Sequence, residues 1–551
     1  MEMSDDGATL IEETREVVDR RRGIAKYAAV VSGFRALNPI LGILREVIMA
    51  QLLGVKAGAD IYRFVVDRVL VELYTKVEKL LQPTFLPLFV ARQTLESDAA
   101  AFRFANVMGT LLALVLAAIA FAGALWADKF TAIMLHYLHE NVEDFRLAVL
   151  ALRFVFPFLV FYCLSNLLEL ILQSYANFTL PALAETIRRL CVVVGFGIVA
   201  LISRHPTQSE IVITAILGAI CGIMLRLLVQ LPGLKGRVKY IRPSLQLSNP
   251  DLIKAGILML PLIAGVLFAL ARSWGETLIA GRIGEGVLAA LGYARKLLDQ
   301  PWQIIAYAVS VVIYPFISEL SAKRERNELA ESLLSVFRIM VFVFVPTTII
   351  MMALGGSLAR GLLGFKGEDL KLVLSALLFY LPGLTVFALE EPTLKWFYAL
   401  GNTLVPTLLG ILSDFVFFAV LLTGVYAFGA GLPAFALALV ISKALKMLIV
   451  YAILHSWLGG LPWGKLKQFA IHMGITSLAL LLFMMTIHML TPPYEARRLL
   501  HLLIAVVGSL LGYAFFGVSA WVLRMPEAIT VGNFLLDAAR KRLRKVFALS
   551  R

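Results

Sequence analysis

The sequence predicts an all-α polytopic membrane protein of about fourteen transmembrane helices: two six-helix lobes built as a parallel internal repeat, then two C-terminal helices. Three observations predict it. The chain is 60% hydrophobic and only 16% charged over 551 residues, with a mean hydropathy of +0.84. A soluble domain runs nearer half apolar and a quarter charged, so bilayer is the solvent left for this surface. About fourteen apolar stretches of ~20 residues follow one another with short connections, the length that crosses ~30 Å of hydrocarbon. Lys and Arg gather in alternate connections, as membrane topology demands.

The expected spans run 25–53, 58–91, 104–126, 147–174, 180–203, 209–233, 251–282, 284–318, 327–355, 371–400, 403–428, 431–457, 466–489 and 497–523. Before span one stand Arg15, Arg20, Arg21, Arg22 and Lys26; Arg92 and Arg103 follow span two. Lys235, Arg237, Lys239 and Arg242 follow span six, Lys323, Arg324 and Arg326 span eight, and Lys465 and Lys467 span twelve. Lys541, Arg542, Arg544 and Lys545 follow span fourteen. Both termini are therefore expected in the cytoplasm. The formal net charge of +14 is spent on topology, and no nucleic-acid partner is expected. The polar segment 1–24 reads as a cytoplasmic tail, too acidic for a signal peptide. Segment 525–551 sets Phe534, Leu535 and Phe547 against a basic face, the pattern of a helix on an anionic leaflet. Cys163, Cys191 and Cys221 lie in separate apolar stretches, with neither a metal spacing nor a disulfide framework.

A weak repeat divides the chain. Glu46-x3-Ala50-x2-Leu53-Gly54 ends span one, and Glu276-x3-Ala280-x2-Ile283-Gly284 ends span seven. Pro87 near the end of span two answers Pro315 near the end of span eight, and Tyr175-Ala…Pro181 answers Tyr398-Ala…Pro406. Three matches in one order predict an N-lobe, 25–235, and a C-lobe, 251–457, with 466–523 as an appended helix pair. Such halves are a transporter design, with substrate bound near the midplane.

Charge inside a span costs a few kcal/mol and is functional by default. Span two carries Asp60, Arg63, Asp67, Arg68, Glu72, Lys76, Glu78 and Lys79. At about 100° per residue, Asp60, Arg63, Asp67 and Glu78 share one stripe and Arg68, Glu72, Lys76 and Lys79 an adjoining one, leaving an uncharged face of Tyr62, Val66, Val69, Leu70, Leu73 and Val77. The charged side is expected to face water. Arg35 and Arg45-Glu46 on span one, and Arg295, Lys296 and Asp299 on span eight, add to this set. Arg188, Arg189, Arg272 and Arg338 sit nearer span ends, where snorkelling to headgroups is the expectation. Guanidinium pairs bidentately with phosphate oxygens, so these cations suit a diphosphate and suit a cationic drug poorly. Asp414 in span eleven is a candidate coupling-ion ligand. His136 and His139 lack a third metal ligand nearby, and no phosphate loop or nucleophile elbow stands out, so neither a cofactor, a metal nor an enzyme activity is expected.

The run Leu41-Gly-Ile-Leu-Arg45-Glu46 through Gly54, then Ala59-Asp60-Ile-Tyr62, resembles the MurJ/MviN-type lipid II flippases of the MOP exporter superfamily. Glu78 with Phe85-Leu-Pro87, Tyr293-Ala-Arg295-Lys296-Leu…Asp299-Gln-Pro301 and Gly401-Asn-Thr403…Pro406 extend the resemblance across most of 30–410. The resemblance implies a flippase that moves a polyprenyl-diphosphate-linked sugar across the cytoplasmic membrane by alternating access. Its partners would be that anionic glycan lipid and the membrane lipids. It also implies substrate-binding cations at Arg35, Arg45, Arg63, Arg68, Lys76, Arg295 and Lys296, and orienting acids at Glu46, Asp60, Glu78 and Asp299. This chain departs from the pattern in five places, one of them Asp299 where the family has glutamate. The family's first cavity arginine falls on Pro39, one turn from Arg35. Its paired arginines in helix two fall on Leu73-Tyr74, with Lys76 the nearest cation. Lys296 stands for its helix-eight arginine, and Arg295 for the aspartate before it. Flipping of another lipid-linked oligosaccharide, of O-antigen type, is the alternative. A cation-coupled drug antiporter would want an acid-dominated cavity, and a membrane glycosyltransferase a larger extramembrane loop than about 127–146.

Overall fold

The computed structural model describes residues 33–34, 37–246 and 250–529. The expectations for tail 1–24 and most of tail 525–551 lie outside the described residues, and so does Arg35. Helices make up the fold, and no strand occurs among the described residues. Eleven of the described helices are long and apolar enough to cross a membrane. Three expected spans fall outside that set. Residues 37–53 form helix α1, the described part of span one. Span two is interrupted: α2 (Ala57–Tyr62), a π-helix (Arg63–Val71), then α3 (Glu72–Leu95), dense in charge. Span five, α7 (Thr179–Ile202), carries Glu185, Arg188 and Arg189.

The chain divides into two compact units at Leu288/Ala289, one helix later than the expected boundary between 235 and 251. The first unit continues through α4 (Asp98–Leu125), α5 (Ala127–Met134), α6 (Val142–Ser174), α8 (Gln208–Gln230) and α9 (Pro250–Ile283). Polar residues start α4, α6 and α8, where the backbone needs acceptors. Ser97 accepts from Ala100 N at 3.2 Å, Asn141 from Glu143 N at 3.1 Å, and Thr207 and Glu210 form a capping box. The core is aromatic: Phe85 stacks on Phe104 at 5.3 Å, and Phe89 meets Phe102 edge-on at 5.7 Å. Helices α7 and α8 touch backbone to backbone. A Cβ on Gly195 would come within 2.7 Å of Thr214 O, and one on Gly218 within 2.6 Å of Cys191 O. Small residues are what permit such contact in a membrane. Helix α9 packs against α3 and α5, which places it with this unit.

The second unit holds the remaining helices: α10 (Val287–Ala322), α11 (Arg326–Leu358), α12 (Gly367–Tyr380), α13 (Leu384–Ala399), α14 (Leu404–Leu422), α15 (Leu432–Trp457), α16 (Leu466–Met489) and α17 (Arg498–Val522). The pair α16–α17 packs on α11 through Phe342, Ile350, Met484 and Phe516. Two arginines pin its connection. Arg360 donates to Tyr494 O at 2.9 Å and Ala496 O at 3.1 Å, and Arg498 donates to Gly361 O at 2.9 Å and Leu362 O at 2.6 Å. The last carbonyls of a helix have no intrahelical partner, and Arg498 supplies one, while Arg360 ties down carbonyls of the connection itself.

Candidate functional site

Gly54 closes α1, and after a short connection α2 begins at Ala57. This turn is held by the loop after α9. Ala57 N donates to Glu285 at 2.9 Å, and buried Asp60 accepts from Gly286 N at 2.8 Å and from Tyr137 Oη at 2.9 Å. Gly286 adopts φ +78°, and a Cβ there would lie 2.5 Å from Val55 O, so the close approach needs glycine. Burial, and then the Asp60 carboxylate, raise the Tyr137 phenol above its ordinary pKa, so it remains a donor. Asp60 therefore anchors the turn in this structure.

One turn further along span two, a closed ring of charge forms. Arg45 Nη1 donates to Asp67 Oδ1 at 2.7 Å and its Nη2 to Oδ2 at 3.4 Å, while Nη2 also pairs with Glu46. Arg63 Nη2 donates to Glu46 Oε2 at 2.7 Å, and its Nη1 stands 3.5 Å from Asp67 Oδ2. Tyr62 lies beneath Arg45, ring centroid 5.9 Å from the guanidinium carbon. Glu46 and Arg63 are buried, whereas Arg45 and Asp67 keep 17% and 25% of their side chains exposed.

The adjoining stripe turns to α9. Arg68 donates to Ser273 Oγ at 2.6 Å and lies 3.6 Å from both Glu72 and Glu276. Ser273 in turn hydrogen-bonds to Glu72. Lys76 stands 3.6 Å from Glu72, and Arg272 stands 3.9 Å from Glu276. The two matched glutamates thus both pair with span two: Glu46 takes Arg63 and Glu276 takes Arg68. The expected water-facing stripe is corrected in part, because Asp60 and Arg63 are buried and Asp67 is not. Asp60 is buried by its clamp to Gly286 and Tyr137 and Arg63 by its pair with Glu46, while Asp67 lies inside the π-helix, whose winding moves it off a stripe drawn at α-helical pitch.

A second network, absent from the expected site, lies deeper in the same unit. Arg226 of α8 donates to Tyr74 Oη at 2.5 Å, Glu185 at 2.5 Å and Glu169 at 2.6 Å. Arg188 clamps Glu185 at 2.6 and 2.9 Å, and Arg189 reaches it at 2.8 Å. Tyr74 and Tyr162 stack at 3.8 Å, with Arg226 over both rings at 4.8 and 5.3 Å. Where the resemblance expects arginine, Tyr74 receives one from α8 instead. Glu78, half-buried, lies within electrostatic reach of Glu169 and Arg226. Arg188 and Arg189, expected to snorkel, are therefore network members. Arg338 is likewise tied down, paired with Glu527 and 5.3 Å from the Phe469 ring centroid, and Arg272 is the Glu276 neighbour named above.

In the second unit Arg295 donates to Tyr380 Oη at 3.2 Å, Lys296 is exposed, and Asp414 is half-buried on α14. Asp299 accepts from Trp302 Nε1 at 3.2 Å and lines a cleft of about 210 Å³ with Glu390 and Lys443. Glu390 binds Lys443 at 2.8 Å and Lys446 at 2.7 Å, another set missing from the expected site. The signal for Arg226, Glu169, Glu185, Glu390, Lys443 and Lys446 was present in each case: a charge inside an apolar span. His136 and His139 meet edge to face at 5.3 Å, and His139 stacks on Phe145.

Comparison with known proteins follows the same lines. The family model for the lipid II flippase MurJ matches residues 49–505. The lipid II flippase MurJ of Burkholderia cenocepacia is 26% identical over 404 residues, covering 70% of this chain and 77% of that protein. The probable lipid II flippase MurJ of Vibrio cholerae is 25% identical over 447 residues, 78% of this chain and 83% of that one. Among solved structures, a lipid II flippase MurJ in an inward closed conformation superposes with a TM-score of 0.70 at 18% identity, covering 89% of this chain and 98% of that one. An inward-facing MATE family multidrug transporter of the MOP superfamily gives 0.63 at 14% identity, covering 77% and 94%. These last two likenesses concern the fold.

Proposed function

This chain belongs to the lipid II flippase MurJ family, and from that membership we propose that it carries lipid II, the polyprenyl-diphosphate-linked peptidoglycan precursor, across the cytoplasmic membrane. It acts as a multi-pass transporter by alternating access and performs no covalent chemistry. Both termini face the cytoplasm, which reporter fusions at residues 2 and 551 would test by both reporting inside.

The observation that carries the substrate reading is the ring of Arg45, Glu46, Arg63 and Asp67. Asp67 already engages Arg45 through two oxygens, the geometry a phosphate also demands. A diphosphate entering beside Asp67 takes over that guanidinium fork while Glu46 stays behind as the buried hinge of the ring. Arg68, Lys76 and Arg272 lie on the neighbouring stripe, held at 3.6–3.9 Å from their carboxylates, and can turn toward an incoming anion. Five cations stand here against the four carboxylates Glu46, Asp67, Glu72 and Glu276, so the balance favours an anion. Arg35 is proposed as a further substrate cation on span one. Arg295 and Lys296 are proposed as the second unit's own anion-binding cations, with Asp299 orienting them and Asp414 a coupling-ion ligand. Asp60 and Glu78 serve as positioning acids, Asp60 through the turn it anchors.

The test is transport of defined lipid-linked substrates in vesicles. Arg45→Ala is expected to lose transport of lipid II and Arg45→Lys to be impaired, because lysine keeps the charge and loses the fork. Lys371→Ala, on an exposed pair with Glu368, serves as the control. Equal transport by Arg45→Ala and wild type at matched protein would overturn the diphosphate reading.

A further inference from the structure

An apolar groove of about 410 Å³ runs along the outside of the first unit between α4, α6 and α8. Its walls include Gly109, Ala113 and Leu114 of α4, Leu167 and Ile171 of α6, and Leu227 of α8. Small residues on α4 leave the space, and leucines close its sides. One end is roofed by the extended segment after Tyr240. Asn106 Nδ2 donates to Tyr240 O at 2.8 Å, Ser244 N donates to Thr110 Oγ1 at 3.0 Å, and Tyr240 packs on Phe102 at 5.7 Å. That roof places exposed Arg242 at the groove mouth. Exposed Arg103 stands on α4 nearby in sequence to the groove-lining Phe102 and Asn106.

Charge and length identify the occupant. From Phe102 to Leu114 the groove spans twelve helical steps of α4, about 18 Å at 1.5 Å per step. That is close to the ~15 Å depth of one leaflet's hydrocarbon. The apolar part therefore holds one acyl chain, and a long polyprenyl tail would overrun it. The mouth carries Arg242, the last cation of the basic run that begins at Lys235. A phosphate is the group that such a mouth recognises at headgroup depth.

We propose that this groove is a binding site for an anionic phospholipid of the cytoplasmic leaflet, with one acyl chain against Gly109 and Ala113 and its phosphate on Arg242. Only the choice of leaflet rests on the orientation proposed above.

The experiment uses the full-length protein stripped of lipid, incubated with phosphatidylglycerol or phosphatidylcholine of the same chains and weighed by native mass spectrometry. Wild type is expected to retain one phosphatidylglycerol about fivefold more strongly than phosphatidylcholine, the weight of one cation beside an anionic headgroup. Arg242→Gln should bring the two lipids level, and Arg242→Lys should keep most of the preference. Ala113→Trp, checked for an unchanged melting temperature, should lower retention of both. Equal retention by wild type, or an unchanged preference in Arg242→Gln, overturns the site. So does displacement of phosphatidylglycerol by an equimolar polyprenyl diphosphate, which would make the groove a substrate-tail site. The assay contains no lipid II, so its result is independent of whether the chain flips that substrate.

Discussion

Two arginine networks lie in the same unit and behave as opposites. Around Arg226 the charged pairs are short, 2.5–2.9 Å, the guanidinium lies against the stacked pair of Tyr74 and Tyr162, and its side chain is 3% exposed. Around Arg45 and Arg68 the contacts spread from tight pairs to 3.9 Å, and Asp67, Arg45 and Arg68 retain 17–25% exposure. A charge held on all sides away from water cannot exchange partners without paying desolvation, so the first network is a strut. A charge with one wet side can trade a carboxylate for a phosphate, so the second is a site. Counting intramembrane charges does not separate the two; the exposure of the central arginine, 3% for Arg226 against 17% for Arg45 and 20% for Arg68, and contact length do.

The largest expected effect tests the strut. Arg226→Ala leaves Glu169 and Glu185 short of a cation, and removing one partner of a buried pair costs roughly 3–5 kcal/mol. The protein should melt far below wild type in detergent and accumulate poorly, and Glu185→Gln added to it should recover part of the loss. If Arg226→Ala keeps its melting temperature while transport stops, Arg226 belongs with the site and the contrast collapses. Next comes Arg45→Ala. Hydrogen bonds to charged groups are worth about 1.5–3 kcal/mol each, so flipping should fall tenfold or more. Its melting temperature should stay near wild type, and a large drop would turn the ring into a second strut.

Glu46→Gln sharpens the comparison from the other side. It takes away the acid shared by Arg45 and Arg63, so diphosphate lipid should bind several-fold more tightly while turnover falls, measured as binding and flux on one preparation. Looser binding would mean that Glu46 only orients. Arg338→Ala should cost roughly 1–2 kcal/mol of stability by stranding buried Glu527, with flux per molecule unchanged. Smallest is Lys371→Ala, whose pair with Glu368 lies in solvent, with a change within about 0.5 kcal/mol.

Much of the architecture was legible because lipid imposes length and apolarity on each span and positive charge on alternate connections. The described helices follow the expected segments from 104 to 523 closely. Arg45, Glu46, Arg63 and Asp67 were legible as a charged set because charge inside spans one and two is costly and calls for a function. Three things were hidden. The π-helix over Arg63–Val71 leaves no compositional mark, so the stripe was drawn with the wrong phase. Partners from other helices were hidden as well: Tyr74 reads as an aromatic until Arg226 reaches it across 152 positions of sequence. The fates of Arg188 and Arg338 were misread because closeness to a span end does not say whether an acid waits nearby.

That π-helix has a mechanical consequence. It spends one more residue on each hydrogen-bonded ring than an α-helix does, and it lies between the anchored turn at Asp60 and the start of α3, which carries Glu72, Lys76 and Glu78. Absorbing a single residue into α winding would rotate everything beyond it by about 100° and advance it about 1.5 Å. Span two is thus a screw whose head is clamped by Gly286 and Tyr137 and whose shaft carries the cations. A fraction of a turn would re-aim Lys76 and Glu78 while leaving the clamp untouched.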